Sequence, residues 1–319
     1  MGGSTKQALL QALSAAEGAY ISGQQLAEAL GVSRAAVHKA AQALSAQGYA
    51  LDSAPRRGYR LAGGDPFCAD AVGSYPAPVH IYDTLQSSNL TAKQLALGGA
   101  PHGTLVLTAH QQAGRGRLGR RFESPAGKGV YLSLILRPAL SAADAQSATI
   151  SAAVAVARAV KALCGLELGI KWVNDLYYQG RKVCGILTEG ALDLENGGLR
   201  YAILGIGINI CPPEGGFPPE LAGIAGALRE KGGEALRAPL AAAVLDEFFA
   251  LYPHLTEKSF YDDYVSRSLL TGRQIEVLRG GTRIPATALG IDHDFHLHVV
   301  YPDGSREDLA AGEVSTRAI

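Results

Sequence analysis

Arg115, Arg117, Arg120 and Arg121 crowd into one short stretch, GRGRLGRR at 114–121, interleaved with Gly114, Gly116 and Gly119. Planar guanidinium groups suit carboxylates and phosphates. The glycines let the backbone approach a ligand and offer it N–H groups. No G-x-x-x-x-G-K-[ST] occurs, so this is not a Walker loop. Neither this stretch nor GIGINI at 205–210 opens a helix after a strand, as a dinucleotide fingerprint requires. Ordering such a loop costs entropy, so a ligand that neutralises it could also fold it. Composition alone leaves a ligand loop, a nucleic-acid contact and a solvated basic loop all open.

A second cluster lies in KWVNDLYYQGRKVCGIL at 171–187. A two-residue Gln179-Gly180 turn sets Tyr178 opposite Arg181 and Tyr177 opposite Lys182. Asp175 then faces Cys184 and lies diagonal to Lys182 on the same side of the ribbon, with Trp172 and Asn174 on the other. A carboxylate and an ammonium thus share one face. The bland version is a surface salt bridge worth little, and spacing does not choose between the two. His293, His296 and His298 invite a metal reading, and the last two share a strand face. No nearby Cys or clear third ligand completes a site there.

These residues sit in a chain of 319 residues, enough for two or three domains. It is 47% hydrophobic and 18% charged with a formal net charge of zero, which excludes a disordered or nucleic-acid-coating chain and makes any basic site local. Cys68, Cys164, Cys184 and Cys211 form no C-x-x-C pair and read as reduced thiols. MGGSTKQALL has no apolar signal core, and Lys6 breaks the myristoylation pattern. The most apolar run, ISAAVAVARAVKAL, is interrupted by Arg158 and Lys161 and is too short for a bilayer. A soluble cytoplasmic protein with no membrane contact is expected.

Residues 1–63 read as helices followed by a hairpin. Leu9, Leu10 and Leu13 share a helical face in TKQALLQALSAA. Ser22 caps and Gly31 stops a short helix, SGQQLAEALG. Ser33 caps the next, where Val37, Ala40, Ala41 and Leu44 point inward and Arg34, Ala35, His38, Lys39 and Gln42 point out. YALDSAPRRGYRLAGG gives two short strands about a Pro-Arg-Arg-Gly turn. That is a winged helix-turn-helix, with the outward face entering the major groove and Arg56 and Arg57 touching phosphate. Lys6, Arg34, Lys39, Arg56, Arg57 and Arg60 against Glu17, Glu28 and Asp52 leave the segment +3 and the rest of the chain −3. A small protein-interaction module is the alternative.

After an AGGDPF linker, GTLVLTAHQ, GVYLSLILRP, LGIKWVNDLYY, RKVCGILTEG and LRYAILGIGINI read as strands. SAADAQSATISAAVAVARAVKAL reads as a long buried helix capped by Ser141, with further helices in APLAAAVLDEFFALYPHL and EKSFYDDYVSRSLL. Strands succeed one another without crossover helices, so a largely antiparallel or mixed sheet is expected. PPEGGFPPE and LREKGGEALR are loops. Residues 271–319 carry short strands between Gly-Gly, Asp-His-Asp and Pro-Asp-Gly turns, as in a small β-barrel.

SSN at 87–89, QQAGRGRLGR at 111–120, KWVNDLYY at 171–178, RKVCGIL at 181–187, GIGINI at 205–210 and GEVSTR at 312–317 occur in one order. Together they resemble the biotin protein ligase family over nearly the whole chain, and the helix-turn-helix resembles its bifunctional members, which repress the biotin operon. The resemblance implies an α+β chain in three parts. These are a winged helix-turn-helix at 1–63, a catalytic domain at 64–270 related to class II aminoacyl-tRNA synthetases, and an SH3-like barrel at 271–319. It implies formation of biotinyl-5′-AMP from biotin and ATP, with Mg²⁺, then transfer to a lysine of the biotin carboxyl carrier protein. It also implies operator DNA as a partner, contacted through Ser33, Arg34, Ala35, His38, Lys39, Arg56 and Arg57, and a ligand-promoted homodimer.

Position by position, Ser87, Ser88 and Asn89 match the family's biotin pocket, and Gln111, Arg115, Gly116 and Arg117 its ligand loop. Arg115 and Arg117 would hold biotin carboxylate and nucleotide phosphate together. Lys182 matches the lysine lying between those two anions. Asn174, Asp175 and Asn209 match polar positions about the nucleotide, Asp175 being the candidate for Mg²⁺ and for taking the carrier lysine's proton. Arg317 matches a C-terminal arginine that reaches ATP. Phe122 stands where a tryptophan stacks on adenine, and Val173 replaces a proline. A biotin sensor without turnover and a lipoate-type ligase are the competing readings.

Overall fold

The computed structural model describes residues 5–16, 18–46, 49–64, 75–137, 142–192, 199–231, 236–310 and 312–315. They group into two compact units, within 1–76 and 232–242, and within 77–231 and 243–319.

In the first unit, α1 (Thr5–Ala15), α2 (Gly23–Leu30) and α3 (Arg34–Ala46) precede an antiparallel pair, β1 (Tyr49–Ala54) and β2 (Gly58–Gly64). Ser22 and Gln25 form a reciprocal capping box at the start of α2, and Gly31 ends it at φ 64°. Ser33 Oγ accepts from Ala36 N at 3.1 Å and caps α3. Leu9, Leu13, Leu26, Val37, Ala40, Ala41 and Leu44 make the core, with Leu10 only partly buried at its edge. The turn between the strands passes through Arg56 at φ 64°. Gly58 follows at φ 96°, where a Cβ would stand 2.1 Å from Ile21 O.

The second unit opens with β3 (Val79–Leu85), α4 (Ser88–Leu97) and β4 (Leu105–Gln111). Then come β5 (Gly129–Leu136), α5 (Ala142–Cys164), β6 (Gly169–Lys171), β7 (Asp175–Tyr178), β8 (Arg181–Leu192) and β9 (Leu199–Asn209). Its seven-stranded sheet runs β3-β4-β5-β9-β8-β7-β6, with β3 and β4 parallel and all other neighbours antiparallel. The expected mixed sheet is therefore present. The β3–α4–β4 crossover that makes it mixed was not expected, although Ser87 before α4 and Gly98-Gly99 after it are ordinary helix signals.

LGIKWVNDLYY is not one strand. It folds into the β6–β7 hairpin, with Lys171 paired to Asp175 and Trp172, Val173 and Asn174 in the turn. The Trp172–Val173 peptide is cis.

Helix α5 contains a stretch, Gln146–Cys164, long and apolar enough to cross a membrane by length and composition, yet 72% of that stretch is buried within the fold. It is a core helix, longer than its most apolar run suggests. Cys164, Cys184 and Cys211 are free thiols, while Cys68 and the Ser141 cap lie outside the described residues.

Further helices are α6 (Arg237–Leu251) and α7 (Tyr261–Ser266). The C-terminal strands are β10 (Gln274–Arg279), β11 (Thr282–Ile291), β12 (Leu297–Val300), β13 (Arg306–Leu309) and β14 (Glu313–Ser315). They form a five-stranded antiparallel sheet in the order β13-β12-β11-β10-β14.

Candidate active site

Strand alternation builds the floor of a cavity of about 700 Å³ in the second unit. Along β9, GIGINI puts Gly205, Gly207 and Asn209 at alternate positions, the isoleucines between them being buried. On β8, Gly185 pairs with Gly207 and Leu187 with Gly205. Glycine matters at two of these places because side chains come down onto the bare backbone. A Cβ on Gly207 would lie 2.5 Å from the Phe122 ring, and one on Gly205 would lie 2.2 Å from Asn89 Oδ1.

One end of the cavity is a buried polar pocket. Ser87, Ser88 and Asn89 open α4, and all three are buried. Gln111 Oε1 accepts from Ser88 N at 2.8 Å and from Ser88 Oγ at 3.1 Å, while Gln111 Nε2 donates to Ser124 Oγ at 2.8 Å. Ser133 Oγ lies 2.7 Å from Ser88 Oγ and 2.6 Å from Asn89 Oδ1. Asn89 Nδ2 donates to Glu189 Oε2 at 2.8 Å. Such a network fixes the direction of each donor and acceptor, because leaving a buried one unpaired is costly.

The arginine loop lines the same cavity. Gly116 N donates to Arg120 O at 2.7 Å around a single 3₁₀ turn, Arg117–Gly119. Arg117 Nη1 donates to Asn174 Oδ1 at 3.1 Å and its Nη2 to Gly312 O at 3.0 Å. Both acceptors are neutral, so these bonds hold the guanidinium in place without cancelling its charge. Arg115 Nη1 lies 3.3 Å from Glu189 Oε1. Asn174 is itself fixed, its Nδ2 donating to Ile186 O at 2.6 Å and its O accepting from Ile186 N at 3.1 Å.

On the same cavity, Lys182 Nζ stands 2.6 Å from Asp175 Oδ1, a charge contact rather than an aligned hydrogen bond. Tyr178 opposes Arg181 and Tyr177 opposes Lys182, as the Gln179-Gly180 turn requires. A one-residue bulge at Val183 then shifts the register, so Asp175 faces Gly185 and not Cys184. Trp172 and Asn174 are not turned away from Asp175 either; all three line the cavity. They belong to a turn, where strand alternation does not hold. Trp172 Nε1 donates to Phe295 O at 2.9 Å and Tyr264 OH to Val173 O at 3.0 Å, which anchors that turn. Burial, helped by the Asp175 charge, pushes the Tyr177 phenol up to about 12, so it stays protonated beside the pair.

Asn209 Nδ2 donates to Gly226 O at 3.0 Å and ties β9 to the segment that follows it. Lys182 N donates to Ile224 O and Gly226 N to Lys182 O, each at 2.8 Å, so Phe217, Leu221 and Ile224 border the cavity. Ser87, Ser88, Asn89, Gln111, Arg115, Gly116, Arg117, Phe122, Asn174, Asp175, Lys182 and Asn209 all line it. Arg317 lies outside the described residues. Glu189, Ser124 and Ser133 were missed by sequence reasoning. Period-two alternation from Gly185 and Leu187 is the signal that could have found Glu189.

The C-terminal histidines are otherwise engaged. His298 Nδ1 meets Asp308 Oδ1, its Nε2 lies 3.5 Å from Asp292 Oδ2, and His293 stacks on Tyr261. In the first unit Arg34, Ala35, His38 and Lys39 are exposed along α3, and His38 Nδ1 lies 3.0 Å from Tyr59 OH. Arg57 sits 4.1 Å over the Tyr20 ring.

Residues 82–209 match the model of the biotin/lipoate A/B protein ligase family, and residues 5–60 match that of an HTH domain. The bifunctional ligase/repressor BirA of Bacillus subtilis is 38% identical over 233 residues, covering 71% of each chain. The chain belongs to the biotin protein ligase family. The bifunctional ligase/repressor BirA of Escherichia coli is 29% identical over 317 residues, 95% of each chain. A biotin protein ligase from Aquifex aeolicus, solved with biotin and ATP, superposes with a TM-score of 0.63 at 25% identity, covering 76% of this chain and 99% of that one. In this biotin protein ligase family member, Phe122 has its ring on the Gly185–Gly207 backbone window, 6.5 Å from the Tyr131 ring.

Proposed function

We propose that this chain joins biotin to ATP as biotinyl-5′-AMP, transfers the biotin to a lysine of a carrier protein, and represses biotin-synthesis genes through its helix-turn-helix. The observation that carries the reading is the meeting of Arg117, Lys182 and the Ser88–Asn89–Gln111 pocket on one cavity, in a chain of this family. An uncharged polar ring suits the pocket, and a carboxylate at the far end of the same molecule would then lie toward Lys182.

In the first half-reaction a carboxylate oxygen of biotin attacks the α-phosphorus. The bond to the bridging oxygen breaks and pyrophosphate leaves. Two anions must approach, so Arg115, Arg117 and Lys182 screen their repulsion and meet the charge that builds at phosphorus. Phe122 offers flat apolar surface to adenine, and Asn174 and Asn209 serve the nucleotide's polar edge. In the second half-reaction the carrier's amine attacks the acyl carbon, AMP leaves, and Asp175 is the carboxylate at hand for the amine's proton. The donor set fits Mg²⁺ carried mainly by the phosphates, because Asp175 offers a single carboxylate and no group of three His, Cys, Asp or Glu among the described residues is arranged for an ion. When bound, Mg²⁺ would neutralise phosphate charge.

The finer reading has a class II synthetase-like core, an SH3-like C-terminal barrel, domain limits near 63 and 270, and Arg317 reaching ATP. It also has a cytoplasmic setting, biotin carboxyl carrier protein as acceptor, and a homodimer on operator DNA, since one helix-turn-helix makes few contacts. Ser33, Arg34, Ala35, His38 and Lys39 would face the groove, and Arg56 and Arg57 the phosphates. One incubation with biotin, ATP and a carrier domain, followed by the intact mass of both proteins, tests the ligase. A carrier gaining one biotin is expected, and Lys182→Ala should form no adenylate. Normal adenylate formation by that variant would remove Lys182 from the reaction.

A further inference from the structure

We propose that Glu189 couples the buried pocket to the arginine loop, one carboxylate oxygen fixing the Asn89 amide and the other holding Arg115 until a substrate anion takes that arginine over. The proposal rests on the reading of the cavity as a site for biotin and nucleotide.

Glu189 lies on β8, opposite Ile203 and two residues beyond Leu187, which lines the cavity. Its Oε2 accepts from Asn89 Nδ2 at 2.8 Å, and its Oε1 lies 3.3 Å from Arg115 Nη1. Asn89 is buried, and its other amide atom, Oδ1, meets Ser133 Oγ at 2.6 Å. The amide therefore has one satisfied orientation, with Nδ2 toward an acceptor. Leu187 O, at 3.4 Å, is the weaker alternative. A carboxylate suits this place because it accepts on both oxygens and needs no donor of its own.

The two oxygens differ in what they hold. Asn89 is buried, so losing its acceptor leaves a costly unpaired N–H. The Arg115 side chain is 46% exposed and that of Glu189 31%, so their ion pair is screened and weak. An anion with two or more charges can outcompete it, while the Asn89 bond stays intact. Glu189 thus keeps Arg115 aimed along the cavity wall and presets the charge balance that a substrate must exceed. It is a positioning residue, acting through Asn89 and Arg115.

Isosteric substitution separates the two arms. Glu189→Gln keeps an acceptor for Asn89 and removes the negative charge that pairs with Arg115, whereas Glu189→Ala removes both. Calorimetry on the full chain, with inorganic pyrophosphate and with biotin in separate titrations, reads each arm. Glu189→Gln should bind pyrophosphate about two- to five-fold tighter, the range of one exposed ion pair, with biotin affinity changed less than about two-fold. In an Arg115→Gln background that gain should vanish. Glu189→Ala should show the same pyrophosphate gain and bind biotin about ten-fold more weakly.

Unchanged or weaker pyrophosphate binding in Glu189→Gln overturns the proposal. So does a gain that survives Arg115→Gln, or equal biotin affinities in the Gln and Ala variants. Failure of the wild-type chain to form adenylate would instead sink the functional reading, while the pyrophosphate titrations would still decide the Arg115 arm.

Discussion

On the wing, exposed Arg56 stands in a turn at φ 64° and Arg57 sits 4.1 Å over the Tyr20 ring, whereas in the loop Arg117 is gripped by Asn174 Oδ1 and Gly312 O. Both regions concentrate the same side chain, and composition treats them alike. The wing presents cations at little desolvation cost, which suits a screened attraction to a repeating polyanion. The loop fixes a cation with neutral acceptors, so its position is set by bonds that leave its charge in place. Positive charge alone thus says little about role. What holds each guanidinium says more.

The comparison breaks most sharply at Arg117. Arg117→Ala should slow adenylate formation by about 10²–10³-fold, the usual effect of losing one preorganised donor. Arg117→Lys should restore little, because one ammonium cannot serve the forked pair of acceptors. Single-turnover pyrophosphate release measures both. A loss below ten-fold in the alanine variant would mean that the grip on Arg117 is structural. Gly205→Ala comes next. Its methyl would stand 2.2 Å from Asn89 Oδ1, in a pocket whose other contacts are already made. Biotin affinity, read by calorimetry, should fall about ten-fold, as expected when a buried amide loses its partners.

On the wing the expected effect is smaller and of a different kind. Arg57→Ala should weaken DNA binding a few-fold at physiological salt and lower the slope of log K against log salt by about one, as for one phosphate contact. An unchanged slope in a fluorescence titration would take Arg57 off the phosphate backbone.

Several of these contacts were legible from spacing. The Gln179-Gly180 turn, at φ 48° and 74°, fixes Tyr177 opposite Lys182, so the Lys182–Asp175 meeting follows from local chemistry. The helix caps at Ser22, Gly31 and Ser33 follow in the same way. What failed was arithmetic carried past an irregularity: the bulge at Val183 moves Asp175 from Cys184 to Gly185, and the turn at Trp172 cancels strand alternation for Asn174. Glu189 was missed for another reason. Its partners Asn89 and Arg115 are remote in sequence, and only the sheet order and the start of α4 bring them together. The motif resemblance carried over Asn89 and Arg115, but not the residue that joins them.

A third use of arginine supplies the smallest effect and a control for the other two. Arg158 of α5 and Arg267 after α7 each donate through Nε to Asp263 at 2.7 Å. Burial works to raise the Asp263 carboxyl, but hydrogen bonds from Arg158 and then Arg267 outweigh it and hold it below its ordinary value. A folded-state value below the unfolded one stabilises the native chain above the unfolded pKa, roughly 3.9, and that contribution is lost as pH falls through the lower folded value. Asp263→Asn should therefore lower Tm by about 2–4 °C at pH 7, the shift expected for about 1 kcal/mol in a unit of this size. The gap from wild type should narrow below about pH 4. Calorimetric melts across that range measure it, alongside Arg57→Ala, whose effect on the melt should not vary with pH. A gap that stays constant with pH would mean that Asp263 acts by packing and not by charge. The arginines of this chain would then divide by burial rather than by the partners that hold them.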